Sequence, residues 1–192
     1  MDLVFATNNK HKLKEIREVL GNSVNILGLE DIGCTEALPE EQDTLEGNAH
    51  QKAEYIYKKY KVNCFADDTG LEVDALDGRP GVYSARYAGP EQDAKKNISK
   101  LLDELNGEQK RTARFKTVIA LFMNENYYAF EGCIEGKIAH EQSGSDGFGY
   151  DPVFKPMGYE RTFAEMPLKE KNRISHRAVA TSKLAIFLSR HV

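Results

Sequence analysis

Two adjacent aspartates are the clearest candidates for catalysis in this sequence. Asp67 and Asp68 follow the apolar run Val62 to Ala66, which predicts a buried strand ending at the pair. Adjacent side chains of a strand point to opposite faces, so only one carboxylate projects into a given cleft. Mg²⁺ commonly takes one or two carboxylates together with substrate phosphates and water. The pair indicates a magnesium site or, alternatively, a turn capped by its own Asp side chains. The acidic stretch upstream offers a second ligand from Glu36, Glu40, Glu41, Asp43 or Glu46.

The segment Thr7 to Lys12 has the residue types of a phosphate site. Asn8-Asn9 is a suitable helix cap, and the lysines that follow fall near the first turn, where the helix dipole disfavours cations. Free N–H groups at a helix start and lysine ammoniums together suit a phosphate chain. The alternative is a solvated basic helix end that Glu15 and Glu18 partly neutralise.

A glycine-rich loop, Ser143 to Tyr150, offers a surface for a flat ligand. Its glycines allow close backbone approach, and the rings of Phe148 and Tyr150 provide planar faces for stacking. The alternative is a hairpin loop whose aromatic side chains complete the core.

A second basic run ends at another predicted helix start. Lys169, Lys171, Arg173, His176 and Arg177 surround Ser175, which is a fair helix cap. Cations again fall at the end of the helix dipole that disfavours them. A solvated charge run is the alternative, although two such helix starts in an acidic chain favour a bound anion.

Composition and missing motifs exclude several function classes. The 192 residues carry a net charge of −4, so the bulk composition offers no basic face for nucleic acid. The three cysteines are scattered without a C-x-x-C pair, which argues against a disulfide framework and favours a reducing compartment. The P-loop, G-x-S-x-G, H-E-x-x-H and G-x-G-x-x-G motifs are absent.

The sequence also predicts a cytoplasmic location without a membrane partner. The N-terminus lacks a basic region and a long apolar run, so a signal peptide is not expected. The longest apolar run, Val118 to Met123, is far below the ~20 residues of a membrane helix.

Helices and strands alternate in the first half of the chain, and paired strands follow later. This order predicts a mixed α/β sheet. The length predicts one domain over residues 1–192. Asn124-Glu125-Asn126 predicts a hairpin turn. We expect strands at 3–6, 62–66, 112–123 and 127–140, a helix from Asn9 to Gly21, and helices at 44–60, 92–105 and 169–191.

Six segments, in this order, match one known family: 5–10, 66–71, 80–87, 147–152, 164–166 (Ala164-Glu165-Met166) and 170–177. Together they resemble the inosine triphosphate pyrophosphatase family, also called XTP/dITP diphosphatases. The resemblance implies Mg²⁺-dependent hydrolysis of ITP, dITP and XTP to the monophosphate and pyrophosphate. It also implies a homodimer of elongated mixed α/β subunits, with a long central twisted sheet and two lobes flanking a deep nucleotide cleft.

By position, the resemblance implies a role for each site residue. Asp68 would be the general base and a metal ligand, and Glu40 would share the metal, preferred over Glu41 because it follows Pro39. The triphosphate would contact Thr7, Asn8, Asn9, Lys10, His11 and Lys12. The rest of the nucleotide site would be lined by Thr69, Phe148, Gly149, Tyr150, Asp151, Lys171, His176 and Arg177.

Two positions depart from the family pattern. Asn8 stands where many members have glycine, and Asn tolerates left-handed backbone angles. Gly47 stands where relatives often have Glu, which leaves Glu40, Glu41 and Glu46 as candidate carboxylates.

Two other functions remain as alternatives. The first is a pyrophosphatase for pyrimidine or methylated nucleotides, disfavoured because the Ser-x-Arg-Arg opening is absent. The second is a nucleotide sensor without turnover, which would require a defective carboxylate pair.

Overall fold

The computed structural model describes residues 1–21 and 24–191 and contains a seven-stranded mixed sheet with helices. The sheet order is β2-β1-β3-β5-β6-β7, with β4 paired to β3. The strands are β1 (Asp2–Phe5), β2 (Asn25–Leu27), β3 (Cys64–Val73), β4 (Pro80–Gly81), β5 (Thr112–Met123), β6 (Asn126–Ile138) and β7 (Phe154–Pro156). The helices are α1 (Lys10–Leu20), α2 (Leu45–Tyr60), α3 (Ala94–Glu104), α4 (Leu168–Ile174) and α5 (His176–His191).

The strand directions confirm the mixed α/β class. Strand β1 is parallel to β2 and β3, whereas β4 is antiparallel to β3 and β7 is antiparallel to β6. No helix within residues 1–21 and 24–191 is long and apolar enough to cross a bilayer.

Side-chain caps set the predicted helix starts. Asn9 Oδ1 accepts the first-turn amides of α1, Thr44 Oγ1 accepts Gly47 N of α2, and Asp93 Oδ1 accepts Lys96 N of α3. Helix α3 begins later than expected because Gln92 has a φ of 54°, outside the helical region.

Strand β3 is longer than the sequence predicted. The apolar run was expected to end at Ala66, but the strand continues to Val73, so Asp67 and Asp68 lie in its middle. The prediction was wrong because Leu71 and Val73, both fully buried, extend the buried side of the strand beyond the acidic pair.

The predicted tail helix is also interrupted. Ser175 is extended, with a ψ of 154°, and separates α4 from α5. Helix α5 begins at His176, as the Ser175 cap predicted. Ala178, Leu184 and Leu188 of α5 are buried, whereas Ile174 at the end of α4 is partly buried.

The first compact unit comprises Met1–Asp68, Thr117–Gly132 and Arg177–Val192. Alternate residues of β1 enter two different cores, as the strand period requires. Leu3 and Phe5 pack with residues of α1 and α5, whereas Val4 and Ala6 pack with residues of α2.

The second compact unit comprises Thr69–Lys116 and Cys133–His176. Its core joins buried residues of α3 to apolar side chains of β3, β5 and β7. The rings of Phe115, Phe154 and Phe163 lie together there, with Phe115 and Phe154 centroids 4.6 Å apart. Tyr150 packs into the same core.

Candidate active site

Strand β3 directs the two aspartates of the first unit to different helices. Asp67 Oδ1 accepts a hydrogen bond from Lys12 Nζ of α1 at 2.9 Å, and its Oδ2 accepts one from Arg177 Nε of α5 at 3.1 Å. Asp68 Oδ2 instead accepts from Asn48 Nδ2 of α2 at 3.1 Å. The predicted opposite orientation of the pair is thus present in the structure.

Asp67 is the centre of a buried ionic cluster. Arg177 Nη1 also donates to Glu15 Oε2 at 2.5 Å, and Glu15, Asp67 and Arg177 are all buried. Burial disfavours the Asp67 carboxylate, but Lys12 and Arg177 outweigh it and hold the pKa of Asp67 far below its usual range. Lys12 and Arg177 lie at helix starts, where the dipoles of α1 and α5 disfavour cations. The carboxylates of Asp67 and Glu15 compensate for this.

The environment of Asp68 has the opposite effect on its carboxyl group. Burial raises the pKa of Asp68 despite the opposing charges of Lys52 and Lys12. The Lys52 ammonium donates to Glu40 Oε1 and lies 3.8 Å from Asp68 Oδ1. Burial lowers the pKa of Lys52, but Asp68 and Glu40 outweigh that effect and raise it. A raised pKa suits a carboxylate that accepts a proton.

Glu40 and Glu41 face different partners. The Glu41 backbone N–H donates to Gln51 Oε1 at 3.0 Å, and Gln51 Nε2 donates to Glu41 Oε2 at 3.3 Å. Glu40 instead contacts the Lys52 ammonium beside Asp68. Of the two glutamates, this geometry favours Glu40 as the partner of Asp68.

The helix start at Thr7 to Lys12 differs from the expected phosphate cradle in one respect. The amides of His11 and Lys12 donate to Asn9 Oδ1, at 2.9 and 3.2 Å, so they are not free for an anion. For His11 and Lys12 the expectation of free amides is therefore wrong, because the cap residue satisfies both. The side chains of Asn8, Lys10 and His11 are exposed.

Asn8 needs no special backbone conformation. In the described part of the chain, the non-glycine residues with positive φ are Lys61, Asp77, Gln92, Asn124 and Glu125. Asn8 is not among them, so the tolerance of Asn for left-handed angles is not used at this position.

In the second unit, Lys171 and Asp151 form a buried ion pair within the glycine-rich loop region. Lys171 Nζ donates to Asp151 Oδ2 at 2.7 Å, and the same oxygen accepts from Phe148 N at 2.8 Å. The ammonium also lies 4.9 Å from the centre of the Phe148 ring. The structure therefore brings Phe148, Asp151 and Lys171 together, with Gly149 in the left-handed conformation beside them (φ 59°).

Tyr150 is placed in the core instead of on the loop surface. Its ring is 5% exposed, and its hydroxyl donates to Ser84 O at 2.7 Å. The expected stacking surface of two aromatic rings is thus reduced to Phe148, which is half-buried.

The remaining predicted residues fall in different surroundings. His176 is buried, and its ring stacks on Phe115 with centroids 4.6 Å apart. Thr69 is half-buried in β3. Lys171 and His176 belong to the second unit, whereas Arg177, the next residue, belongs to the first.

Sequence reasoning missed the contacts of three polar residues of the first unit. It named Glu15 only as a neutralising charge for the basic start of α1, and it gave no role to Asn48 or Lys52. A signal for two of them was present, because Asn48 and Lys52 fall at helical spacing between Leu45 and Ile56 on the buried face of α2. Charged or amide side chains at such positions require partners.

Comparison with known proteins covers nearly the whole chain. The Ham1 family model matches residues 3–187. A protein of Flavobacterium johnsoniae described as a dITP/XTP pyrophosphatase is 53% identical over 189 residues, covering 98% of both chains. One of Porphyromonas gingivalis with the same description is 57% identical over 187 residues, covering 97% of this chain and 96% of that one.

A solved structure agrees with these sequence matches. The Ham1 protein of Staphylococcus aureus superimposes with a TM-score of 0.90 at 36% identity, covering 100% of both chains. The predicted resemblance is confirmed, and the chain belongs to the Ham1 family.

Proposed function

We propose that this chain hydrolyses ITP, dITP and XTP to the nucleoside monophosphate and pyrophosphate, and so removes them from the nucleotide pool. Full-length identity above 50% to two proteins described as dITP/XTP pyrophosphatases carries the proposal. The carboxylates and lysines of the first unit suit a phosphate substrate, and the Phe148 loop of the second suits a purine.

The proposed metal is Mg²⁺, held by Asp68 and Glu40. Among the described residues no group of three or more His, Cys, Asp or Glu side chains could hold a metal, so substrate phosphates would complete the ligand set. The carboxylates of Asp68 and Glu40 fit a shared cation, because both already lie beside one positive charge, the Lys52 ammonium. When bound, Mg²⁺ supplies charge neutralisation for the phosphates and lowers the pKa of bound water.

Asp68 is the proposed general base. Its carboxylate is held by Asn48 and has a raised pKa, so it accepts a proton from water more readily than an ordinary aspartate. Thr7 to Lys12 are proposed to hold the triphosphate, with Lys12 exchanging Asp67 for a phosphate oxygen.

In the proposed site for the purine ring, hydrogen-bond donors of the protein are directed at the C6 oxygen of hypoxanthine or xanthine. Adenine carries an amino donor there, so ATP would leave buried groups unpaired, at ~1–3 kcal/mol each. The residues proposed to line the nucleotide site are Thr69, Phe148, Gly149, Asp151, Lys171, His176 and Arg177. Tyr150, which is buried in the core, is proposed to support the loop from within.

His176 tests this base selectivity better than Arg177 does. Arg177→Ala would also leave Asp67 and Glu15 without their buried partner, so a loss of activity with both substrates is expected. His176→Ala should lower kcat/KM for ITP about 10-fold more than for ATP. Equal losses for ITP and ATP would show that His176 does not select the base.

Other parts of the proposal rest on the sequence. The scattered cysteines and the chain length support a cytoplasmic location and a single pyrophosphatase domain. The resemblance alone supports a homodimer and an elongated shape with two lobes flanking a deep nucleotide cleft. Sedimentation velocity of the purified chain tests the homodimer directly, and a monomer at micromolar concentration would contradict it.

One assay separates this function from its alternatives. ITP, XTP, dTTP, ATP and GTP are each incubated with enzyme and Mg²⁺, and the products are identified. We expect rapid release of pyrophosphate from ITP and XTP alone. Preference for dTTP would favour a pyrimidine enzyme, and binding of ITP without products would favour a sensor.

A further inference from the structure

The Ala164-Glu165-Met166 segment lies in a short turn with no role in the site described above. We call residues 162–166 the latch. Two of its side chains, Phe163 and Met166, are buried in the core of the second unit. Polar groups of Thr162, Ala164 and Glu165 bond to one another or to the glycine-rich loop. The latch is therefore anchored in the core through its apolar side chains and hydrogen-bonded to the glycine-rich loop through its polar groups.

One side-chain and three backbone hydrogen bonds join the latch to the loop and its end, at three places. Thr162 Oγ1 donates to Ser143 O at 2.7 Å, at the start of the loop. In its middle, the amides of Ser145 and Asp146 both donate to Ala164 O, at 3.1 and 3.0 Å. At its end, Ala164 N donates to Asp151 O at 3.2 Å.

The two backbones approach too closely for a side chain between them. Gly144 has a φ of 87°, and a Cβ there would lie 2.6 Å from Glu165 N and closer still to the backbone of Ala164. Only glycine fits this position without moving the latch.

Thr162 and Glu165 stabilise the latch itself. Thr162 N donates to Glu165 Oε2 at 2.7 Å, and Glu165 N donates to Thr162 O at 3.1 Å. Thr162 is fully buried, so its hydroxyl cannot exchange Ser143 for water without a rearrangement. The bonds from Thr162 and Ser143 lower the pKa of Glu165, which keeps it ionised as an acceptor.

The latch also reaches the residues proposed to bind the base. The Lys171 ammonium lies 5.6 Å from the centre of the Phe163 ring in the latch and 4.9 Å from that of Phe148 in the loop. The same ammonium donates to Asp151 Oδ2. A shift of the loop away from the latch would therefore move Phe148 and Asp151 relative to Lys171.

We propose that Thr162 and Glu165 are positioning residues that hold the glycine-rich loop in its base-binding conformation. The inference rests on the proposed role of Phe148 in binding the purine. A loop already ordered before binding does not lose conformational freedom when substrate arrives, so affinity for the base increases. The latch thus acts on recognition of the base and leaves the phosphate chemistry of the first unit unchanged.

The test compares Thr162→Val, which removes the hydroxyl and keeps the shape, with Thr162→Ser, which keeps the hydroxyl. Thr112→Val is the matched control, because its hydroxyl bonds to Asp74 on the same unit and not to the loop. Loss of one hydrogen bond predicts a rise in KM for ITP of roughly 2- to 10-fold in Thr162→Val, with kcat little changed. Thr162→Ser and Thr112→Val should resemble the wild type.

Two further readouts distinguish positioning from general damage. Inorganic tripolyphosphate has no base, so its inhibition constant should be the same in Thr162→Val and wild type. Hydrogen exchange at the amides of Ser145 and Asp146 should accelerate in Thr162→Val and not in Thr112→Val. Glu165→Ala, at an exposed side chain, should change KM and exchange in the same direction if Thr162→Val folds poorly.

Phe148→Ala separates failure of this inference from failure of the proposed base site. If Phe148→Ala raises the KM for ITP but the latch variants do not, the latch is not a positioning device. Equal changes in the KM for ITP and the inhibition constant of tripolyphosphate would also overturn it. If Phe148→Ala leaves the KM for ITP unchanged, the base-binding role of the loop fails and the inference fails with it.

Discussion

Neighbouring carboxylates in this protein have opposite electrostatic surroundings. Asp67 has two cations within hydrogen-bond distance, whereas Asp68 has one amide donor and an ammonium at 3.8 Å. Burial acts to raise the pKa of both groups; at Asp67 the two cations outweigh it and the pKa falls, whereas at Asp68 burial prevails and the pKa rises. Two titratable groups whose pKa values are moved apart are suited to different roles. These surroundings support a structural role for Asp67 and the proposed role of Asp68 in proton transfer.

Replacing each aspartate by its amide should separate these roles. Asp68→Asn should lower kcat by ~10²–10⁴-fold, because it removes the proposed proton acceptor. It should not lower the melting temperature, because burial disfavours the charged carboxylate that is removed. Asp67→Asn leaves Lys12 and Arg177 without their shared carboxylate and should cost about 3–5 kcal/mol of stability. Steady-state kinetics and thermal unfolding measure both effects. A larger loss of kcat in Asp67→Asn would exchange the two assignments.

The pH dependence of stability should also identify Asp67. Its pKa is lower in the folded chain than in the unfolded one, where ~3.9 is expected. Its ionised form therefore stabilises the fold fully above that pH, and the contribution is lost as the pH falls below it. The difference in unfolding free energy between wild type and Asp67→Asn should be constant from pH 5 to 8 and shrink below pH 4. A difference that grows at low pH would contradict this sign.

At the scale of elements, short turns and caps place the long strands and helices. The β5–β6 hairpin has a two-residue loop in which Asn124 and Glu125 both have positive φ, 51° and 67°. This is the type I′ geometry, for which Asn-Gly is the preferred pair. Glu125 is therefore the strained member of the turn, and its backbone N–H donates to Tyr57 Oη at 2.9 Å.

Glu125→Gly should stabilise the protein. Glycine adopts the left-handed conformation without strain and keeps the backbone hydrogen bond to Tyr57, so we expect a gain of ~0.5–1 kcal/mol. Thermal unfolding should show a rise of about 1–4 °C. Glu131→Gly in the following strand is the matched control and should destabilise, because glycine weakens a strand interior. A fall in melting temperature for Glu125→Gly would argue against strain at this turn.

On the scale of the whole molecule, the two compact units carry different parts of the proposed chemistry. The first contains Lys12, Glu40, Lys52 and both aspartates, and the second contains Phe148 and the Lys171–Asp151 pair. Strand β3 passes from one unit to the other between Asp68 and Thr69. The proposed general base, Asp68, and the proposed nucleotide-binding residue Thr69 are thus adjacent on one strand.

The proposed arrangement predicts which bond is cleaved. With the lysines holding the distal phosphates and Asp68 activating water at the α-phosphorus, the α–β bridge breaks and pyrophosphate leaves. Hydrolysis of ITP in ¹⁸O-labelled water should therefore place the label in IMP and none in pyrophosphate. Mass spectrometry of both products makes the measurement. Label in pyrophosphate, or orthophosphate as the first product, would contradict attack at the α-phosphorus.

The sequence alone determined the features that depend on local patterns. The cap at Asn9 starts α1 as expected, and strand alternation separates Asp67 from Asp68. The ordered motifs were sufficient to identify the family, because their spacing spans the chain. Periodicity and capping act over a few residues, which is why they can be read without the fold.

Only the tertiary structure decided which charges meet. Asp67 pairs with residues 55 and 110 positions away, and Arg177 pairs with Glu15 162 positions away. The position of the Lys52 ammonium between Glu40 and Asp68, and the burial of Tyr150 against Ser84, are likewise results of packing. Desolvation and ion pairing depend on distances in space, so a carboxylate's pKa and role follow from the folded chain and not from its neighbours in sequence.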